Sequence, residues 1–229
     1  MDVLRVVDLS HPIGTGTPVY PGDPEPRLSP AATLDADGCN LLRVELGSQT
    51  GTHVDAPFHV RADGAPLDAL DPALFTGTGV VADVTGRPPR TPLTWDDLTP
   101  IADGLAPGRI LLLRTGWDRH WGTPAYFDHP YLTPEAAGRV MASGVRVIGL
   151  DAPSIDPTGL GEPPATGDNA GHPVLPAHQV IAAAGGVIAE NLTALGAIDF
   201  PDPLITLLPL PLAAADGAPV RAAALRLRA

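Results

Sequence analysis

One short stretch of the sequence gathers several side chains that can bind a metal ion. Residues 47–59 read GSQTGTHVDAPFH and carry a glutamine, two histidines and an aspartate, at Gln49, His53, Asp55 and His59. Imidazole, carboxylate and amide groups are the ligands that divalent ions use in proteins when thiolates are absent. A loop with a purely structural role has no reason to gather so many of them. The stretch therefore predicts a metal site.

Such a site requires turns within the stretch. The four side chains share one parity, so a continuous strand would place them on one face. It would also hold the outer two about 33 Å apart, at roughly 3.3 Å per residue. His53 and Asp55 are two residues apart and can converge from one extended segment. We therefore expect the chain to turn at Gly51 and Pro57, residue types that favour changes of direction.

The composition restricts both the ligands and the partners. Cys39 is the only cysteine, so a thiolate cluster and an internal disulfide are excluded. The formal net charge is −12, all 14 basic residues are arginine, and they form no run; we therefore expect no nucleic-acid or membrane partner. The first residues, MDVLRVVDLSHPIG, lack the features of a signal peptide, and no apolar segment of membrane-spanning length follows. We expect a cytoplasmic protein.

The remaining sequence predicts the elements that must position these residues. Short apolar runs between turn signals predict strands at 4–9, 41–47, 79–84, 109–114, 145–151, 186–191, 204–210 and 220–227. Helices are expected at 133–144, 94–102 and 174–186. The first has the clearest signals: Thr133 as cap, Pro134 in the first turn and Gly144 at the end. The segment 60–75 is ambiguous, and 156–173 is a loop rich in proline and glycine. We predict one strand-rich α/β domain over residues 1–229.

Several motifs, in order, resemble one family. GTHVDAPFH is similar to the signature His-x-Gly-Thr-His-x-Asp-x-Pro-x-His of the cyclase family of metal-dependent hydrolases, which includes bacterial kynurenine formamidase and isatin hydrolase. The resemblance extends to VVDLSHPIGTGTPVYPGDPEP, ILLLRTGWDRHW, VIGLDAPSID and AHQVIAAAGGVIAENLTAL. These segments cover most of the chain up to about residue 196. Agreement of several ordered motifs is more specific than the short signature alone.

The resemblance implies a fold, a ligand set and an assembly. The fold is a swivelling β/β/α domain, and the protein is a homodimer or a larger homo-oligomer with active sites near subunit contacts. His53 and Asp55 fall on metal-ligand positions, and His59 falls on the position of the acid/base catalyst. His178 and Glu190 match two more ligands. The family uses two zinc ions bridged by the aspartate in kynurenine formamidase and manganese in isatin hydrolase, so the resemblance implies one or two ions of Zn²⁺ or Mn²⁺.

Gln49 departs from the family signature, which has a histidine at this position. An amide oxygen is a weaker and harder ligand than an imidazole nitrogen, so zinc should bind less well at such a site. The substitution favours a single ion, or manganese. The alternative is that Gln49 faces away from the site.

Local sequence leaves the roles of several other residues open. His178 lies in an apolar helical pattern, where a histidine is either a ligand or a hydrogen-bonded core residue. Glu190 follows the apolar run GVIA and is either a buried carboxylate that needs a positive partner or a solvent-facing loop residue. Asp151, Ser154 and Asp156 are compatible with a nucleophilic site, but Ser154 has no evident base. Local turn bonding is the interpretation that we favour for these three.

Aromatic residues carry the information about the substrate. Five aromatic residues fall within one segment after a predicted strand: Trp117, Trp121, Tyr126, Phe127 and Tyr131. They either cover part of the core or form the wall of an aryl pocket, for which Trp117 is a candidate. Tyr20, in PVYPGDP, falls where the resemblance places an aromatic residue that lines the substrate site.

The chemistry that these groups support is hydrolysis. A divalent ion lowers the pKa of water and polarises a carbonyl group, while His59 would move a proton to the departing nitrogen. The leading prediction is a metal-dependent amide hydrolase acting on an aryl formamide, such as N-formylkynurenine, or a cyclic amide, such as isatin. Two alternatives stay open: a cyclase or lactone or ester hydrolase of secondary metabolism, and a non-catalytic binding protein that keeps the fold.

Overall fold

The protein is a strand-rich α/β molecule. The structure is a computed structural model that describes residues 2–159 and 175–228. Its strands are β1 (Asp2–Asp8), β2 (Arg27–Ala32), β3 (Leu41–Glu45), β4 (His53–Asp55), β5 (Thr76–Asp83), β6 (Pro92–Leu93), β7 (Arg109–Arg114), β8 (Tyr131–Leu132), β9 (Val147–Leu150), β10 (Val187–Glu190), β11 (Leu204–Thr206), β12 (Gly217–Pro219) and β13 (Ala223–Arg228). Its α-helices are α1 (Leu34–Asp37), α2 (Trp95–Leu98), α3 (Pro134–Ala142) and α4 (Pro176–Ala183), and short 3-10 turns supply the other helical segments.

One large sheet organises the molecule. Nine strands pair in the order β1-β13-β11-β5-β7-β9-β10-β4-β12, and two small sheets pair β2 with β3 and β6 with β8. The central strands β5, β7, β9 and β10 are mutually parallel. The outer strands join them antiparallel, so that β4 lies between β10 and β12. Both faces of the central strands must therefore be covered by other parts of the chain.

The central strands consist of continuous apolar runs, which fits burial of both faces of the sheet. In β7, Leu111 and Leu113 face one hydrophobic core, which also contains side chains of α3 and α4. Ile110 and Leu112 face a second core on the other side of the sheet. All four side chains are at most 1% exposed. A continuous apolar run is typical of such a doubly covered strand.

The predicted elements agree with the structure except at short strands and the second helix. Each predicted strand overlaps an observed one, and residues 109–114 match β7. The Thr133 side chain accepts a hydrogen bond from the amide of Ala136 at the start of α3. The helix expected at 94–102 is α2, only four residues long, followed by the 3-10 turn Thr99–Gly104. The ambiguous segment 60–75 contains two 3-10 turns. Most of the loop expected at 156–173 lies outside the described residues.

Strand alternation places three predicted ligands on the same face of the sheet. In β4, Val54 packs into the second core, so His53 and Asp55 point to the opposite face, which α4 covers. In β10, Val187 and Ala189 also face the second core, and Glu190 therefore points the same way as its cross-strand partner His53. The described residues contain no helix long and apolar enough to cross a membrane.

Candidate metal centre and active site

The two turns that the sequence predicts lie on either side of β4. Gly51 has φ +68°, a conformation that glycine adopts at low cost. Pro57 begins the 3-10 turn Pro57–His59, which follows β4. Together the two turns fold the stretch back on itself, so that Gln49 and His59 approach Asp55 instead of lying at opposite ends of a strand.

His53 is oriented by its own turn. The Nδ1 atom of His53 lies 2.9 Å from the carbonyl oxygen of Gly51 and donates to it. This bond fixes the tautomer and leaves a lone pair on Nε2. That Nε2 atom is 3.4 Å from Asp55 Oδ1 and 3.7 Å from Glu190 Oε2. A histidine with one nitrogen bonded to a carbonyl oxygen and the other directed at carboxylates has the orientation of a metal ligand.

His178 approaches the same carboxylates from α4. Its Nδ1 atom donates to Asp156 Oδ2 at 2.8 Å, so its Nε2 carries the lone pair. The Nε2 atom lies 3.6 Å from Asp55 Oδ2 and 3.4 Å from Glu190 Oε1. Each carboxylate thus lies between the two imidazoles, with one oxygen toward each.

These groups fit a divalent cation. His53, Asp55, His178 and Glu190 are at most 5% exposed, so water does not compensate their charges. His53 Nε2 and Asp55 Oδ2 are buried without a hydrogen-bond partner among the described residues. Ligand atoms of His53, Asp55 and Glu190 lie within 4.8 Å of one another, as do those of Asp55, His59 and His178. An ion held by these groups would supply the missing partners.

The electrostatics of the cluster also favour a cation. Burial alone lowers the pKa of His53, but the charges of Asp55 and Glu190 outweigh burial and raise that pKa to about 9. Burial raises the pKa of Asp55, yet the two imidazoles hold it well below its usual range. The negative charge that attracts a proton to His53 equally attracts a metal ion, because both are cations at the same point.

Gln49 lies inside the site with its amide nitrogen toward the other groups. The single proton of the Ser48 hydroxyl is shared between Gln49 Oε1 and Asp216 Oδ1, and Gln49 Nε2 donates to Asp55 Oδ1 at 3.1 Å. This arrangement turns the amide oxygen away from the carboxylates. The residue is therefore placed among the predicted ligands, as a hydrogen-bond donor to one of them.

His59 stands beside the cluster and is paired with Asp216. Its Nδ1 atom is 3.2 Å from Asp216 Oδ2, and the other carboxylate oxygen of Asp216 accepts from the Ser48 hydroxyl at 2.8 Å. Burial lowers the pKa of His59, but the hydrogen bond to Asp216 and the charge of Asp55 raise it overall. An imidazole held in this way presents Nε2 for proton transfer.

A cavity of about 330 Å³ opens above these groups. Gln49, His53, His59, His178 and Glu190 all line it, so the candidate ligands meet the space in which a small molecule fits. Its other walls are largely apolar and include Pro18, Val19, Tyr20, Phe127 and Leu175. A concave apolar space with a few convergent polar groups is the usual form of a small-molecule site.

Some of the aromatic residues that the sequence singles out line the cavity, and others lie in the core. Tyr20, Tyr126 and Phe127 line the cavity. Trp117 does not: it is 3% exposed, belongs to the first core, and donates its indole N–H to the carbonyl oxygens of Ala125 and Tyr126. Trp121 packs against the same core. The structure thus brings Tyr20 to the site and leaves Trp117 as support for the segment that carries Tyr126.

The interpretation of Asp151 and Asp156 as locally bonded turn residues is wrong. Asp156 accepts from the backbone amides of Ala177 and His178, both at 2.9 Å, and so joins the first turn of α4. Asp151 accepts from Thr115 and Gly116 on a neighbouring strand end. The partners are far away along the chain and close only in the fold.

Other residues of the site gave no signal in the sequence. Asp216 precedes β12 and reaches His59 because β12 pairs with β4. The Asn191 side chain donates to the carbonyl oxygen of Gly51 at 2.9 Å and accepts from the Tyr126 hydroxyl at 2.8 Å. Both residues are brought in by strand pairing, which spacing along the chain does not reveal.

A buried cluster of two histidines and two carboxylates, with a paired histidine beside it at the end of a cavity, defines the class of metal-dependent hydrolases. A family model described as "Putative cyclase" matches residues 7–157. The chain is 32% identical over 218 residues to a kynurenine formamidase from Geobacillus thermodenitrificans, with 95% of each chain covered.

The chain therefore belongs to the cyclase family. Two solved structures agree in fold. One is an isatin hydrolase bound to the product analogue thioisatinate, with a TM-score of 0.84, 23% identity, and coverage of 98% of this chain and 93% of that chain. The other is a potential metal-dependent hydrolase with cyclase activity, with a TM-score of 0.74, 24% identity, and coverage of 98% and 99%. The family and the strand-rich swivelling fold predicted from the motifs are confirmed.

Proposed function

We propose that the protein is a metal-dependent amide hydrolase acting on an aryl formamide, like N-formylkynurenine, or on a cyclic aryl amide, like isatin. The observation that carries this proposal is the convergence of His53, Asp55, His178 and Glu190 at the end of a cavity with aromatic walls. The similarity to a kynurenine formamidase over nearly the whole chain supports the reaction class. It favours amide hydrolysis over ring closure, lactone hydrolysis or a non-catalytic role.

The contacts described above support the following roles for the residues. A divalent ion held by His53, Asp55, His178 and Glu190 would polarise the amide carbonyl and lower the pKa of the attacking water. Hydrolysis forms a bond between the carbonyl carbon and the water oxygen and breaks the carbon–nitrogen bond. His59 takes a proton from the attacking water and delivers it to the departing nitrogen, which leaves as a neutral amine. Asp216 holds the His59 ring in position by accepting from Nδ1.

We infer one ion per chain rather than two. The family signature has a histidine where this chain has Gln49, and the side chain of Gln49 directs an N–H, which cannot bind a cation, toward Asp55. One imidazole fewer reduces the affinity for zinc more than for manganese. We propose manganese or zinc at a single site, and elemental analysis of the purified protein gives both identity and number.

The cavity supports an aromatic substrate. Phe127, Tyr20 and Tyr126 supply flat side chains around the space next to His59. Burial raises the pKa of the Tyr20 hydroxyl, so this group stays protonated and can donate a hydrogen bond. An aryl ring packed against these walls would present its amide to the polar end of the cavity.

The proposal is tested by a screen with the Asp55→Asn variant. Metal-loaded protein is assayed against formanilide, N-formylkynurenine, isatin and simple aryl lactones. We expect hydrolysis of at least one amide and loss of that activity, by at least about a hundredfold, in Asp55→Asn, because this carboxylate faces both imidazoles. Asp103→Asn, on the exposed 3-10 turn Thr99–Gly104 and outside the cavity lining, is the matched control. Activity on the lactones alone would contradict the proposal.

We also propose that the protein is a homodimer or a larger homo-oligomer. Support comes from the β2–β3 hairpin, in which Leu41, Leu42 and Val44 are more than half exposed. A two-stranded hairpin is marginally stable in water by itself, so a second copy that covers these side chains would stabilise it. Sedimentation equilibrium tests this directly: a monomer at micromolar concentration would contradict the proposal.

A further inference from the structure

The cavity carries negative charge and no opposing arginine. Its charged lining residues are Asp23 and Glu190, together with the histidines of the site. None of the arginines lines the cavity in the part of the chain that the structure describes. The stretch 160–174 contains neither arginine nor lysine in its sequence. Among the described residues, a substrate carboxylate entering this cavity would therefore meet no arginine side chain to pair with.

In the part of the chain that the structure describes, Asp23 is the carboxylate of this lining that has no hydrogen-bond or ion-pair partner. It follows the Tyr20–Asp23 turn, in which the Asp23 amide donates to the Tyr20 carbonyl oxygen at 3.0 Å. Its side chain forms no hydrogen bond or ion pair within the described residues. Partial burial raises the pKa of the Asp23 carboxyl group. The charges of His53 and His59 lower this pKa and those of Asp55 and Asp216 raise it, and the net shift is upward. Asp23 is exposed and lines the same cavity as His53 and His59, so its charge faces a molecule that enters there.

The other carboxylates near the cavity are already balanced. A divalent ion held by the cluster would offset the charges of Asp55 and Glu190. Asp216 is bonded to His59 and to the Ser48 hydroxyl, and Asp156 is bonded to His178 and to the first turn of α4. Asp23 is the carboxylate of the lining whose charge remains available to a substrate.

We propose that Asp23 is a specificity-determining residue that selects aromatic amides with no net charge, zwitterions included, or with a positive charge over amides with a net negative charge. This inference rests on the proposed function, because it concerns the substrate of the same site. The charge at Asp23 lies on the wall of the cavity, so it acts on the substituents of the aryl ring and on the approach of the substrate. The attack on the amide itself depends on the residues around His59.

The experiment compares three formanilides of similar size: the unsubstituted compound, one with a meta carboxylate and one with a meta ammoniomethyl group. With metal-loaded wild-type protein, we expect kcat/KM for the carboxylate to fall below that of the neutral compound by on the order of tenfold, the effect of one like charge a few ångströms away near a protein surface. The cationic compound should equal or exceed the neutral one. In Asp23→Asn the difference between anion and cation should shrink several-fold, mostly through KM.

Glu25→Gln is the matched control. It removes the same charge two residues away, on an exposed side chain outside the cavity lining, and should leave the preference unchanged. Salt screens the interaction between the Asp23 charge and a charged substrate. Raising the salt concentration should therefore reduce the charge preference of wild type more than that of Asp23→Asn, which lacks this interaction. Equal use of the carboxylated and neutral compounds by wild type would overturn the inference. So would equal effects of the two substitutions.

A binding measurement separates this inference from the proposed function. Calorimetric titration of the same three compounds reports the charge preference even if none is hydrolysed. Absence of turnover of these compounds, of N-formylkynurenine and of isatin by the metal-loaded protein would refute the amide hydrolase. Wild type that binds the cation or the neutral compound more tightly than the anion, together with loss of this preference in Asp23→Asn, would still support the role of Asp23. Wild type without the preference would refute that role.

Discussion

At the residue scale, His59 and Asp216 act as a pair. His59→Ala should lower kcat by on the order of a hundredfold or more, because the proton for the departing nitrogen is lost. Asp216→Asn should lower kcat less, by on the order of tenfold, because the ring remains but its orientation is no longer fixed by a carboxylate. Both variants should bind metal as wild type does. Steady-state kinetics and elemental analysis on the same preparations provide the measurement.

Loss of metal in His59→Ala would contradict that division of roles. It would make His59 a ligand, as its proximity to Asp55 and His178 permits. An unchanged kcat in Asp216→Asn would show that the hydrogen bond is dispensable. Asp199→Asn is the control, since its carboxylate pairs with Arg5 at the surface.

The residues of the site were predictable to different degrees. His53, Asp55 and His59 are predicted from their clustering in residues 47–59, and His178 and Glu190 from the resemblance; the structure brings all five to one place. Local sequence alone left His178 and Glu190 open, since a histidine in an apolar helix and a glutamate after an apolar run have ordinary structural roles. Trp117 was a reasonable candidate for an aryl pocket by residue type, but its indole N–H is used within its own segment.

At the element scale, Asp156 accepts hydrogen bonds from the first turn of α4 and holds the ring of His178 on that helix. Asp156→Asn keeps one of the two oxygens that accept from the amides of Ala177 and His178 and removes the charge that holds the His178 ring. We expect metal affinity to fall by about 10- to 100-fold with little loss of stability. Asp156→Ala removes the acceptor as well and should cost a further 0.5–2 kcal/mol or so.

Metal titration and urea unfolding of the two variants separate these effects. Unchanged metal affinity in Asp156→Asn would mean that the carboxylate serves only the helix start. Asp71→Asn, at the start of the 3-10 turn Pro72–Phe75 and away from the site, is the control for the loss of a capping charge.

The long elements could be predicted because their patterns are local. Thr133, Pro134 and the apolar spacing fix α3, and the continuous apolar run fixes β7. The strands β4 and β12 have three residues each and are defined by their pairing with distant partners. Their existence, and with it the approach of Asp216 to His59, depends on contacts across more than 150 residues.

At the scale of the whole molecule, a buried histidine makes stability depend on pH. Burial lowers the pKa of His129 to about 4, and its ring bonds the Pro130 carbonyl oxygen and the Thr158 hydroxyl. The unfolded chain takes up a proton at this histidine below about pH 6.5, whereas the folded chain does so only near pH 4. The unfolded state thus binds more protons between these values, so stability falls as the pH drops from about 6.5 toward 4, by up to about 3 kcal/mol.

The His129→Gln variant isolates this contribution. Urea unfolding of wild type and variant at several pH values between 4 and 7 should give a difference in unfolding free energy that favours wild type most at pH 7 and shrinks as the pH falls. Any effect of the metal site on the pH dependence cancels in this difference. A difference independent of pH would contradict the account, and His120→Gln is the control in the same segment.

The central claim is that activity requires an ion bound by His53, Asp55, His178 and Glu190. The most direct measurement strips the protein with a chelator, adds manganese or zinc in steps, and follows bound ion and amide hydrolysis in the same samples. We expect no activity in the stripped protein, activity that rises in proportion to bound ion and saturates at one ion per chain, and neither ion binding nor activity at these concentrations in Asp55→Asn. Full activity in the ion-free protein, or saturation of the site without activity on any aryl amide, would contradict the claim.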